Sequence, residues 1–269
     1  MSSSAIVPLR PPVGLVGYGA FGRLIARHLA PHVAVRAHDP GVPAAAFGPD
    51  AVAAELREVA RCPVVILATP VSALAEAVAA LAPHLRPGTL VVDVGSVKTI
   101  PAGILREGLP AHVEILATHP LFGPQSAAAG IRGLKIAVCP VRGRRGLRAA
   151  AFLRRVLGLD VILTTPEAHD REMAAVQGLT HLIAKVLVEM EPLPTRMTTR
   201  SFDLIMQAVG MVRHDAPEVF RAIERDNPFA ADVRGRFFAL AARLDADLSG
   251  AADRADAPIP PRLASRRVL

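Results

Sequence analysis

The sequence predicts an α/β fold: a Rossmann-type doubly wound, mostly parallel sheet followed by a smaller all-helical domain. Short β-branched runs recur at intervals that leave room for helices between them. After Thr164 those runs stop and long amphipathic segments replace them. Hydrophobic residues make up 51% of the 269-residue chain but aromatic ones only 4%, so the core is built from Ala, Val, Leu and Ile, as suits strands buried on both faces.

In chain order, strands are expected at Val13 to Gly17, Val33 to His38, Val64 to Ala68, Thr89 to Asp93, Val113 to Ala117, Lys135 to Cys139 and Asp160 to Leu163. Ala20 to Ala30 and Val71 to Leu81 hold good helix formers with apolar residues at helical spacing, and read as crossover helices. The basic run Arg142 to Arg155 has Phe152 as its only aromatic and reads as the start of a solvated helix. Thr165-Pro166-Glu167 is a cap followed by a first-turn proline, opening a long helix over Pro166 to Glu191. Further helices are expected over Thr199 to Val212, Pro217 to Asp226 and Pro228 to Leu248. The division is therefore residues 1–164 for an α/β domain, 165–253 for a helical domain, and 254–269 for a proline-rich tail.

The remaining composition excludes several classes. Cys62 and Cys139 lie in or beside hydrophobic runs with no metal-site spacing, so neither a disulfide framework nor a metal is expected. The opening MSSSAIVPLRPP lacks an apolar stretch of signal-peptide length, and no apolar run is long enough to span a bilayer; a cytoplasmic protein is expected. The net charge of +7 reads as dispersed arginine, with no nucleic-acid or membrane partner expected. The chain ends soon after its last helix, which leaves no room for a fused regulatory domain in this reading.

Gly17-Tyr18-Gly19-Ala20-Phe21-Gly22 is a G-x-G-x-x-G run that directly follows a strand and opens a helix. Gly17 permits the tight turn, Gly19 lets backbone approach a pyrophosphate, Gly22 permits close helix packing, and the helix start beginning at Ala20 and Phe21 offers unpaired N–H groups to the anion. Asp39 closes the second strand about 20 residues on, where its carboxylate can accept from ribose hydroxyls and would repel a 2′-phosphate. Pro40 and Gly41 follow it rather than Arg or Lys, so NAD is favoured over NADP. Asp39 as a plain turn residue is the alternative.

Three strand ends carry polar groups where an open sheet places its ligands: Thr69-Pro70, Asp93 to Lys98 (DVGSVK) and Thr118 to Pro124 (THPLFGP). Singly, each has a bland explanation. Ser96 could cap a helix starting near Val97, and His119 could be a structural loop residue. Together, and with His169 to His181 (HDREMAAVQGLTH), the three runs resemble in order the signature segments of the prephenate and arogenate dehydrogenase family, over Val13 to about Asn227. The resemblance implies a nicotinamide-dependent oxidative decarboxylation of a cyclohexadienol in tyrosine biosynthesis, by a homodimer joined through its helical domain. It makes His119 the catalytic histidine, Ser96 the serine that orients it and the substrate hydroxyl, and His181 and Gln177 pocket residues. The segment after Thr199 departs from the family's pattern, so Arg200 and Arg213 are both candidates for holding the substrate's side-chain carboxylate, and prephenate and arogenate stay undivided.

Three other readings compete. A β-hydroxyacid dehydrogenase or imine reductase would use Lys185 on the long helix but gives no reason for THPLFGP. A dehydrogenase of amino-substituted prephenate in specialised metabolism would leave the same motifs in place. A cofactor-sensing regulator would give Ser96, His119 and His181 no reason to coexist.

Overall fold

The computed structural model describes residues 11–249. Eight strands form one sheet in the order β3-β2-β1-β4-β5-β6-β7-β8. In chain order they are β1 (Val13–Val16), β2 (Val35–His38), β3 (Val52–Ala53), β4 (Val64–Leu67), β5 (Leu90–Asp93), β6 (Glu114–Pro120), β7 (Lys135–Arg142) and β8 (Asp160–Leu163). Every pairing is parallel except β6 with β7. Residues 121–134 contain no helix, and without a crossover helix the chain can only turn back beside itself.

Helices cover both faces. The helices α2 (Leu56–Ala60), α3 (Val71–Leu81) and α4 (Thr99–Gly108) pack Val59, Leu74, Val78 and Leu105 against Val65 and Leu67 on one face. On the other, α1 (Ala20–Leu29) and α5 (Arg145–Arg155) bring Leu24 and Ala150 to Leu116 and Val138. Between α1, α5 and the sheet lies an apolar cavity of about 470 Å³, bordered by Phe21, Val92, Leu116, Thr118 and Phe152.

Each expected strand is present within two residues at its start, and two short elements join them. Strand β3 pairs only Val52 and Ala53 with Arg36 and Ala37, too short to leave a period in the sequence. The five-residue α2 opens with a reciprocal capping box between Glu55 and Glu58, a pattern that was there to be read. The basic run is also less solvated than expected. Arg142 donates to the carbonyls of Val113 (2.8 Å), Leu109 (3.1 Å) and Pro110 (2.8 Å), and Arg145 to that of Gly88, so two of its arginines seal strand ends.

After Thr164 every described helix or strand is a helix: α6 (Pro166–Glu189), α7 (Arg200–Val212), α8 (Pro217–Arg221) and α9 (Ala230–Leu248). Thr165 caps α6 by accepting from the Ala168 amide, with Pro166 in the first turn, and Thr199 caps α7 through the Phe202 amide. The helix expected over Pro217 to Asp226 changes character at Ala222, where a π turn (Ala222–Asp226) completes it. Several large apolar side chains here stay open to solvent, among them Met190 (59%), Met211 (52%) and Leu244 (58%). The expected tail at 254–269 lies outside the described residues. Among the described residues no helix is long and apolar enough to cross a membrane.

Candidate active site

Parallel pairing puts Val16, Leu67, Asp93 and Ala117 in one row across β1, β4, β5 and β6. The segments that follow these four residues therefore emerge side by side at the carboxyl edge of the sheet: the glycine loop, Thr69-Pro70, the 94–98 loop and the end of β6. Gly17 and His119 stand three strands apart, or about 14 Å at the usual strand spacing.

The glycine loop is shaped for an anion. Gly17 has φ +94°, and a Cβ there would lie 2.5 Å from the Ala68 carbonyl oxygen. A Cβ at Gly19 would meet nothing within 4 Å, so the space over the α1 N-terminus is open. No side chain caps that helix and no acidic residue occupies its first turn, which leaves its first amides for a ligand. Ala20 is exposed at the first helical position, whereas Phe21 turns towards Phe122 beneath it. Asp39 accepts from the Tyr18 amide (2.7 Å) and the Gly41 amide (2.9 Å), tying the loop to the end of β2 with acceptor capacity to spare. Thr69 Oγ1 is buried with no partner, an orphan at the same edge, and Pro70 begins the turn into α3. An open cradle, uncapped amides and an unsatisfied hydroxyl fit a dinucleotide.

His119 faces away from the apolar cavity that its neighbour Thr118 borders, as strand alternation requires. It is 5% exposed, and its Nδ1 lies 2.8 Å from Nε2 of His169. His169 Nδ1 lies 2.8 Å from the Asp170 carboxylate. Burial, reinforced by His169, Lys98 and His181, holds the His119 imidazole well below its ordinary 6.5, so the ring is neutral. Burial pushes the Asp170 carboxyl up, but hydrogen bonds from His169, Thr99 and Lys98 outweigh it and leave it below its ordinary value. Lys98 is fully buried; its Nζ donates to Asp93 and, at 2.6 Å, to the Thr118 carbonyl immediately before His119.

Ser96 is half-buried in the loop between Asp93 and α4 and makes no hydrogen bond among the described residues. It does not cap α4, which starts three residues later; the Lys98 and Thr99 amides at that start donate instead to Asp170 (both 2.8 Å). His181 is buried on α6, with Nδ1 2.9 Å from the Gln177 carbonyl and Nε2 3.1 Å from Asp215. It borders a cavity of about 490 Å³ whose rim carries Lys185, Arg213, Arg221 and Arg225 against Asp215 and Glu224. Arg213 is held in a two-pronged pair with Glu191 (2.7 and 2.9 Å). Arg200, the first residue of α7, is exposed and borders neither cavity. Lys185 pairs with Glu189 at 3.0 Å and is mostly exposed.

Residues 22–134 match the family profile described as prephenate dehydrogenase, nucleotide-binding domain. Those residues of this chain are thus similar to the nucleotide-binding domain of prephenate dehydrogenases. A 4-amino-4-deoxyprephenate dehydrogenase of Streptomyces pristinaespiralis is 33% identical over 70% of this chain and 63% of its own length. A probable arogenate/prephenate dehydrogenase of Methanocaldococcus jannaschii is 28% identical over 65% of this chain and 41% of its own. The chain thus spans less than two thirds of the length of these curated relatives. Among solved structures, prephenate dehydrogenase from A. aeolicus, in complex with hydroxyphenyl propionate and NAD+, superposes with TM-score 0.66 at 20% identity, covering 91% of this chain and 93% of that one. At that identity the likeness establishes the fold.

Sequence reasoning missed His169, Asp170 and Asp215. His169 and Asp170 stand at the start of the HDREMAAVQGLTH run, one turn past the Thr165 cap, where an adjacent His and Asp at a buried helix start could have been noticed. Asp215 left no signal, because its position opposite His181 depends on how α7 and α6 pack.

Proposed function

We propose that the chain is a nicotinamide-dependent dehydrogenase that oxidises and decarboxylates a cyclohexadienol, prephenate or arogenate, to an aromatic product. The observation that carries this reading is His119, a buried histidine on the same carboxyl edge of the sheet as an open dinucleotide cradle. Residues 1–164 would hold the cofactor and 165–253 the substrate. Gly17, Gly19, Gly22 and the first amides of α1 at Ala20 and Phe21 would take the pyrophosphate, Asp39 the adenosine ribose, and Thr69 and Pro70 the nicotinamide side. With Asp39 at the ribose, NAD is preferred to NADP.

A bound nicotinamide supplies the hydride acceptor. His119 Nε2 takes the proton of the ring hydroxyl as hydride leaves the same carbon, and Ser96 orients that hydroxyl. When the ring carboxylate departs as CO₂, its bonding pair enters the ring, the new carbonyl oxygen becomes a phenol, and His119 returns the proton. His181 and the cationic cavity rim would face the substrate's carboxylates, with Gln177 one turn earlier on α6; Arg213 is favoured over Arg200 because it borders that cavity. The half-exposed apolar residues of the helical region support a homodimer joined there.

A second substrate is favoured by one finding, the 33% identity to the Streptomyces enzyme named for an amino-substituted prephenate. The same base would accept a proton from a ring amine. The test is His119→Asn assayed with all three substrates. It is expected to lower kcat roughly 10²- to 10⁴-fold with NADH binding unchanged; unaltered turnover would remove His119 from the mechanism.

A further inference from the structure

Beyond the base itself, the site contains a buried chain of groups to which no role has yet been given: His119, His169, Asp170 and the start of α4. We propose that Asp170 and His169 are positioning residues that fix the tautomer of His119, so that its Nδ1 carries the proton and its Nε2 presents a bare lone pair to the substrate. This rests on the reading of His119 as the base.

Asp170 Oδ1 accepts from the Lys98 amide and Oδ2 from the Thr99 amide, each at 2.8 Å, so the carboxylate is locked in orientation by backbone that only donates. Asn227 fixes the same residue from the other side, its Nδ2 donating to the Asp170 carbonyl at 2.8 Å. An ionised carboxylate is acceptor-only, so the His169 nitrogen 2.8 Å from it, Nδ1, must be the protonated one. With that ring neutral, Nε2 is an acceptor. His119 Nδ1, 2.8 Å from that acceptor, must therefore donate, and a neutral imidazole with its proton on Nδ1 has its lone pair on Nε2. That atom makes no hydrogen bond among the described residues.

Packing leaves little freedom to this order. The two rings meet edge to face with centroids 5.0 Å apart, and His169 and Asp170 are 3% and 0% exposed, so water does not compete for their hydrogen bonds. Lys98 helps from the strand side: its hold on the Thr118 carbonyl fixes the backbone from which His119 projects. Because Asp170 and His169 belong to α6 while His119 belongs to β6, the tautomer is set only when the helical region is docked on the sheet.

The experiment is a long-range ¹H–¹⁵N spectrum of the full chain labelled in histidine, which reports which ring nitrogen carries each proton. Wild type is expected to show His119 and His169 both protonated on Nδ1 only. A proton on His119 Nε2, or a His169 imidazolium donating to His119, overturns the proposal. Two variants extend it. His169→Phe removes the acceptor, and His119 should lose its single tautomer with kcat falling roughly 10²-fold while substrate KM and NADH affinity hold. His169→Gln places an amide oxygen near the lost Nε2 and should restore both tautomer and most of kcat. Equal losses in both variants with the His119 tautomer unchanged would mean a purely structural role and overturn the proposal. Wild type inactive on every cyclohexadienol would sink the proposed function, whereas the spectrum decides the tautomer regardless.

Discussion

At the scale of single residues, the decisive property is the protonation of His119. Desolvation, reinforced by the neighbouring His169, Lys98 and His181 side chains, disfavours its imidazolium, so the ring stays unprotonated below the ordinary histidine range. The acid limb of kcat for the proposed reaction should accordingly lie well below pH 6.5, and a limb at the ordinary value would show that His119 is not the titrating base. The two thiols are the opposite case. Burial pushes Cys139 up to about 12 and raises Cys62, so neither should react with a thiol reagent at neutral pH until the chain unfolds; rapid labelling of the native protein would contradict this. His119 and Ser96 were legible because short motifs name them. The partners of His119 were not, since His169 and Asp170 lie 50 residues further on and meet it only through tertiary packing.

Among the elements, the β1 to α1 turn separates folding from binding at neighbouring glycines. A Cβ at Gly22 would clash with the Gly17 carbonyl, whereas one at Gly19 would stand in open space. Gly22→Ala should therefore cost on the order of 1–3 kcal/mol of stability through overpacking. Gly19→Ala should leave the melting temperature unchanged and weaken cofactor binding, because its methyl occupies the approach to the pyrophosphate. Thermal melts with and without NADH separate the two, and equal destabilisation would refute the assignment of the loop. The main strands and long helices were legible from periodicity and caps. Strand β3 and the π turn were not, the first because two residues carry no period and the second because it answers to the packing of Ala222 and Ile223.

For the whole molecule, the sheet and the helical region share a buried polar contact whose charge state depends on pH. His119, depressed in the fold, binds a proton more readily when unfolded, so stability falls as pH drops below 6.5 towards its folded value. Asp170, also depressed, gives stability present above its ordinary 3.8 and lost as pH falls through its lower folded value. Acid unfolding should thus begin near 6.5 and steepen below 3.8, and a melting temperature flat across pH 4 to 7 would contradict the buried His119 assignment. The exposed apolar helix faces predict a particle of twice the chain's mass in light scattering, and a monomer at working concentration would refute the dimer. The account as a whole is tested most directly by counting NADH formed and CO₂ released together when the purified chain meets prephenate, arogenate or the amino-substituted analogue with NAD. It predicts equal amounts from at least one of the three; NADH without CO₂, or turnover of none, would contradict it.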